Sequence, residues 1–102
     1  MEKLARIENR IRRKREELGY RQSDLAFLLD HKSSSQVSKY ERGLIFPDSE
    51  RLLKLSYILK TTPDWLYPEV TKKWKKEVAK REEVLREKLT PQIYENIQTA
   101  NN

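Results

Sequence analysis

A chain of 102 residues allows one domain with a short appendage, enough for a modest core but not for a deep catalytic cavity. Lys plus Arg exceed Asp plus Glu by 22 to 16, which suits a polyanion (nucleic acid or an anionic membrane face) unless the charges are simply solvated helix faces. Without cysteine, a signal-peptide core or a run near about 20 apolar residues, a disulfide framework, a thiol nucleophile and a spanning helix are excluded, and a soluble chain of the reducing cytoplasm is expected.

The positive charge is uneven: residues 3–15 hold seven basic side chains against Glu8 alone, and residues 72–76 hold four lysines and no acid. Leu4, Ile7, Ile11 and Leu18 recur at helical spacing and predict an amphipathic helix over residues 2–18. Gly19 supplies the left-handed residue that ends it. A second helix is expected over 22–29, with Leu25, Ala26 and Leu29 inward. Ser33 opens a third, capping a free N–H while Gln36 reaches back in an S-x-x-Q box, and Gly43 stops it after Arg42. Asp48 caps a fourth over 49–60, whose core face is Leu52, Leu53, Leu55, Ile58 and Leu59. Thr62-Pro63 starts a short fifth, Trp65 and Leu66 plug the base of the bundle, and Tyr67-Pro68 closes it. Nothing reads as a strand. The expected fold is all-α: a five-helix body over residues 1–68 and a helical extension over 69–102.

In the extension, Trp74 and Val78 recur eleven residues on as Leu85 and Leu89, one narrow apolar stripe. A strict heptad would place Arg81 and Lys88 in the seam, so a conventional coiled coil fits poorly. Thr90-Pro91 breaks the helix and restarts it, with Ile93 and Ile97 spaced to pack. Such a stripe either docks on the body or is shared with another chain, which makes Trp74, Val78, Leu85 and Leu89 the candidate partner contacts. The lysines at 72–76 either add phosphate contacts or are solvated.

The stretch RQSDLAFLLD…QVSKYERG…PDSERLLKLSYIL…PDWL resembles the Cro and lambda-repressor-like helix-turn-helix proteins, the XRE family. The likeness covers about 60 residues and rests on Gln22, Leu25, Ala26, Leu29, Val37, Ser38, Glu41, Gly43, Pro47, the leucines of the fourth helix and Asp64-Trp65-Leu66. It implies a five-helix lambda-repressor-like bundle containing a helix-turn-helix, and a structural ion pair between Arg15 and Glu41. Three departures stand out. Asp30 occupies the turn position where the family has glycine, and Val37 comes one residue late, so the Asp30-His31-Lys32 joint carries an insertion expected to bulge outward. Arg21 replaces the usual Ser or Thr cap of the second helix, for which a phosphate contact would compensate. Phe27 and Leu28 stand where the family is often charged, and are expected to add to the core, the alternative being a sticky face.

The same resemblance implies that the third helix lies in the major groove of double-stranded DNA with its leading residues at base edges. Ser34, Ser35, Gln36 and Lys39 match the reading positions. Gln36 offers a donor beside an acceptor, as adenine needs, and Lys39 donates to guanine. The competing reading is a solvated polar face, with Gln36 serving only as a cap. Arg21, Gln22, Lys32, Ser38 and Arg42 are the flanking phosphate contacts, while Tyr40 goes to the core. Arg10 to Arg15 can reach DNA only from the face beside the second helix. The implied function is a sequence-specific transcriptional regulator, most simply a repressor that binds a pseudo-palindrome as a homodimer. The alternatives are an antitoxin-like module that grips a partner protein through its C-terminal helix, or a general RNA or membrane-surface binder. No cofactor is implied, His31 lacks partner ligands for a metal, and catalytic constellations are absent, so no enzyme is expected.

Overall fold

In the computed structural model, residues 5–89 and 91–100 are described, except the side chains of 91–94. They form seven helices: α1 (Ile11–Glu17), α2 (Gln22–Leu28), α3 (Ser35–Glu41), α4 (Ser49–Ile58), α5 (Pro63–Leu66), α6 (Pro68–Lys88) and α7 (Pro91–Ala100). No strand occurs among the described residues. The chain divides into two compact units, residues 1–71 and 72–102.

The first unit holds the whole core. Ile11, Leu25, Ala26, Leu29, Val37, Tyr40, Leu55, Leu59, Leu66 and Tyr67 are buried together, with Ile7, Leu18, Leu52, Ile58, Trp65 and Val70 packed around them. Val37 and Tyr40 are the buried residues of α3, so three-residue spacing turns that side of a seven-residue helix inward. Ala26 lets the crossing helix come close, since α2 and α3 are in contact and its own exposure is only 3%.

The first helix is much shorter than the spacing of apolar residues predicts. Residues 5–10 are not helical, and Leu4 lies outside the described residues. The Ile7 N–H instead donates to Gly43 O at 2.9 Å, and the Arg10 N–H donates to Leu66 O at 2.9 Å. Asn9 holds this segment: its amide donates to Ile7 O (3.0 Å) and Tyr40 O (2.9 Å), and its carbonyl oxygen accepts the Ile11 N–H at 3.1 Å. The backbone groups that a longer helix would have paired internally are thus satisfied across the chain, with Ile7 still packed on the core.

Four helices end in one hydrogen-bond pattern, in which the two residues past the cap donate back into the last turn. The left-handed residue is Gly19, Asp30, Gly43 or Lys60, with φ of 78, 59, 72 and 54°. At Gly43 the requirement is double, because an added Cβ would land on the Ile7 backbone, 2.7 Å from its nitrogen. At Gly19 the space is open. Asp48 caps α4 as expected, accepting the Arg51 N–H at 2.9 Å, and Thr62 accepts the Trp65 N–H at the start of α5. The fourth helix stops at Ile58 rather than 60, because Lys60 turns left-handed. Leu53, expected in the core, is 64% exposed, and Tyr57 one turn on lies open beside it.

Much of the N-terminal charge is consumed inside the fold. Arg10, Arg13 and Lys14 gather over the Trp65 ring at 4.9, 5.7 and 5.5 Å, where its negative π-face attracts cations. Arg12 pairs with Glu16 and Arg13 with Glu17. Tyr67 packs against Phe46 with ring centres 4.6 Å apart, and burial pushes its phenol pKa up.

α6 begins in the first unit and continues into the second, and it has no buried residue: Trp74, Val78 and Leu85 are each about half exposed, and so is Val84. Ile97 of α7 is 40% exposed. The side chain of Ile93, and Thr90, lie outside what is described.

Candidate nucleic-acid interface

The outward side of α3 follows from its inward side. With Val37 and Tyr40 held in the core, Ser35, Gln36 and Lys39 stand exposed, and Ser34 and Ser38 are half-buried at its margins. The helix begins at Ser35, one residue later than the S-x-x-Q pattern predicts. The Ser33 hydroxyl accepts the Ser35 N–H at 3.4 Å and lies 2.9 Å from the Ser35 hydroxyl, but Gln36 does not reach back, and Ser34 is the cap residue without a side-chain bond. Gln36 is therefore released from the capping role and presents its amide to solvent.

The joint before α3 differs from expectation as well. Asp30 takes the left-handed position itself, and the His31 N–H donates to Ala26 O at 2.9 Å. His31 does not bulge outward. Its ring turns onto Tyr40, with Nε2 3.2 Å from the Tyr40 hydroxyl and ring centres 5.9 Å apart. Burial and the nearby Arg51 guanidinium push the imidazole pKa below its ordinary value, because both disfavour the charged ring. Asp30, Lys32 and Ser33 are exposed in the joint while His31 turns inward, so the histidine props α3 instead of lengthening a loop.

A second anchor lies one residue on, at the last residue of α3. Glu41, with a side chain 3% exposed, receives Arg15 in a two-pronged pair, Nε–Oε2 2.6 Å and Nη2–Oε1 3.1 Å. Arg15 also donates to Tyr20 O at 2.9 Å. The hydrogen bonds and charge of Glu41 hold the guanidinium pKa above its usual value. Gln22, expected to contact phosphate, donates its amide to the same carboxylate at 3.0 Å. That bond ties the first residue of α2 to the end of α3 and fixes the helix pair from both sides.

The expected phosphate contacts are exposed in three cases: Arg21 at the cap of α2, Lys32 in the joint and Arg42 at the end of α3. Arg21 already has a partner. Asp24 accepts its N–H at 2.7 Å and its guanidinium at 3.2 Å, which restores half of the lost cap within the protein and holds the Asp24 pKa down. Sequence reasoning missed this acid, although an Asp three residues into a helix is a recognisable sign. It also missed Asn9, which donates to Tyr40 O beside Glu41 and has no such regular spacing.

Phe27 and Leu28 do not join the core. Phe27 is 81% exposed and Leu28 45%, since the inward positions of α2 belong to Leu25, Ala26 and Leu29. No group of His, Asp or Glu able to hold a metal occurs among the described residues, and no helix there is long and apolar enough to cross a membrane.

Comparison with known proteins places this geometry. A family model described as helix-turn-helix matches residues 11–66, from the first residue of α1 to the last of α5. No curated protein matches the chain.

Proposed function

Because the chain belongs to the helix-turn-helix family of Cro and lambda-repressor-like (XRE) proteins, which are DNA-binding transcription regulators, we propose that it is a repressor reading a pseudo-palindromic operator through α3. Two copies would each occupy one half-site, about 10 bp or a multiple apart. The observation that carries the reading is the division of α3: Val37 and Tyr40 are locked inward, and Ser35, Gln36 and Lys39 stand together outside.

Ser34, Ser35, Gln36 and Lys39 are assigned to base edges. Gln36 pairs with adenine through its side-by-side donor and acceptor, and Lys39 donates to guanine. Lys32, Ser38 and Arg42 are assigned to phosphates on either side. Arg21 and Gln22 are placed with them, each already sharing its charge or amide with Asp24 or Glu41. An intracellular, cytoplasmic setting follows from that role.

Selection from random duplexes, followed by sequencing, tests the proposal. A two-fold symmetric site supports it, with log affinity falling by roughly 0.9 per neutralised phosphate per log unit of salt. Gln36→Ala and Lys39→Ala should each remove about 1–3 kcal/mol of discrimination at one base pair and leave nonspecific binding intact. Salt-sensitive binding with no preferred sequence sinks it. The open face of α6 favours a second reading, an antitoxin-like module holding a partner protein and regulating its own gene. Stoichiometric co-purification of an unrelated small chain is its mark.

A further inference from the structure

We propose that α6 is an antiparallel zipper, pairing along residues 74–85 with α6 of a second copy of this chain. The inference deepens the two-copy reading above and rests on it. Trp74, Val78, Arg81, Leu85 and Lys88 alternate steps of four and three residues, which brings them onto one helix face. Trp74, Val78 and Leu85 are 51, 56 and 50% exposed, and a groove follows the face past Arg81, Glu82 and Lys88. The described side chains of α7, residues 95–100, are themselves exposed.

Charge selects the occupant and its direction. A parallel copy in register would set Arg81 on Arg81 and Lys88 on Lys88 in the seam, with Glu77 beside Glu82, all like-charged contacts. Reversing the second helix removes each conflict. Trp74 then faces the second copy's Leu85, and Val78 meets the aliphatic stem of its Arg81. The Arg81 guanidinium comes beside the second copy's Glu77, and Lys75 beside its Glu82. The two-fold axis makes every one of these contacts twice. The two cations that spoil a parallel heptad thus fit an antiparallel one, Arg81 at the centre of the overlap and Lys88 beyond it.

The test uses charge reversal in mixed samples. Glu77→Arg and Arg81→Glu each turn two attractions into repulsions, so each variant alone should self-associate about tenfold more weakly or worse in sedimentation equilibrium without DNA. Mixed one to one they should recover wild-type association, because opposite charges then meet between chains. Within each helix the 77–81 pair stays like-charged, so recovery cannot come from helix repair, and it shows that both variants fold. Since the chain has no cysteine, Lys75→Cys and Glu82→Cys report direction: disulfides should form in their mixture and not in either alone. A wild-type chain monomeric at all concentrations, a mixture without recovery, or self-linking of Lys75→Cys overturns the zipper. Duplex binding by the same samples separates the two claims. Sequence preference kept by a chain that does not pair sinks only the zipper, and pairing without preference sinks only the operator reading.

Discussion

At the scale of single residues, the same side chains serve stability and presentation. Glu41 accepts from Arg15 twice and from Gln22 once while almost fully enclosed. Replacing it with alanine leaves a guanidinium with 10% exposure and only the long, exposed contact to Glu16 at 3.9 Å, so Glu41→Ala should cost about 3 kcal/mol in urea unfolding. The two glycines should part company. Gly19→Ala meets only an unfavourable positive φ and should cost about 1 kcal/mol, whereas Gly43→Ala also collides with the Ile7 backbone and should cost clearly more in the same assay. His31 makes stability depend on pH. Burial, Arg51 and Lys54 lower its folded pKa, against Asp30 and Asp48, which raise it. The unfolded chain therefore binds more protons between the folded value and about 6.5, so His31 favours folding above that pH and loses its contribution as pH falls through the window. Urea midpoints from pH 8 to 5 should drop, and His31→Gln should flatten the drop.

At the scale of elements, α3 is a short rod gripped on its last two residues, by His31 against Tyr40 and by Arg15 and Gln22 on Glu41. Seven residues alone would not hold a helix in water, where a costly nucleus disfavours short ones, so its order is borrowed from α1 and α2. Asn9 adds a third hold by fastening residues 5–10 beside the end of α3. Most of these holds were hard to see in the sequence. Leu25, Ala26, Leu29 and Val37 could be placed from spacing, because burial repeats with the helical period. Asn9 and the inward turn of His31 could not be placed that way, since each bond depends on where another segment happens to pass.

At the scale of the molecule, every buried residue among those described lies between Ile11 and Tyr67, inside the unit that ends at Thr71. A chain ending at Thr71 should therefore unfold cooperatively at the wild-type urea midpoint. If α6 joins two copies, the same truncation should keep half-site preference and lose about a hundredfold or more on the full site, the affinity that linkage of two reading heads supplies. A wild-type affinity for the full site would show that the extension does not link them.

Residue order alone determined the helical class, the apolar faces of α2 to α5, the Asp48 and Thr62 caps and the likeness to a known family. These follow from local rules: period, capping chemistry and the few residues tolerant of a left-handed turn. Tertiary contact decided that residues 5–10 leave the helix for Gly43 and Leu66, and that Leu53, Phe27 and Leu28 stay outside. It also decided that Gln22 turns to Glu41. In each case a backbone or side-chain group had two ways to be satisfied, and only the position of a distant neighbour chose between them.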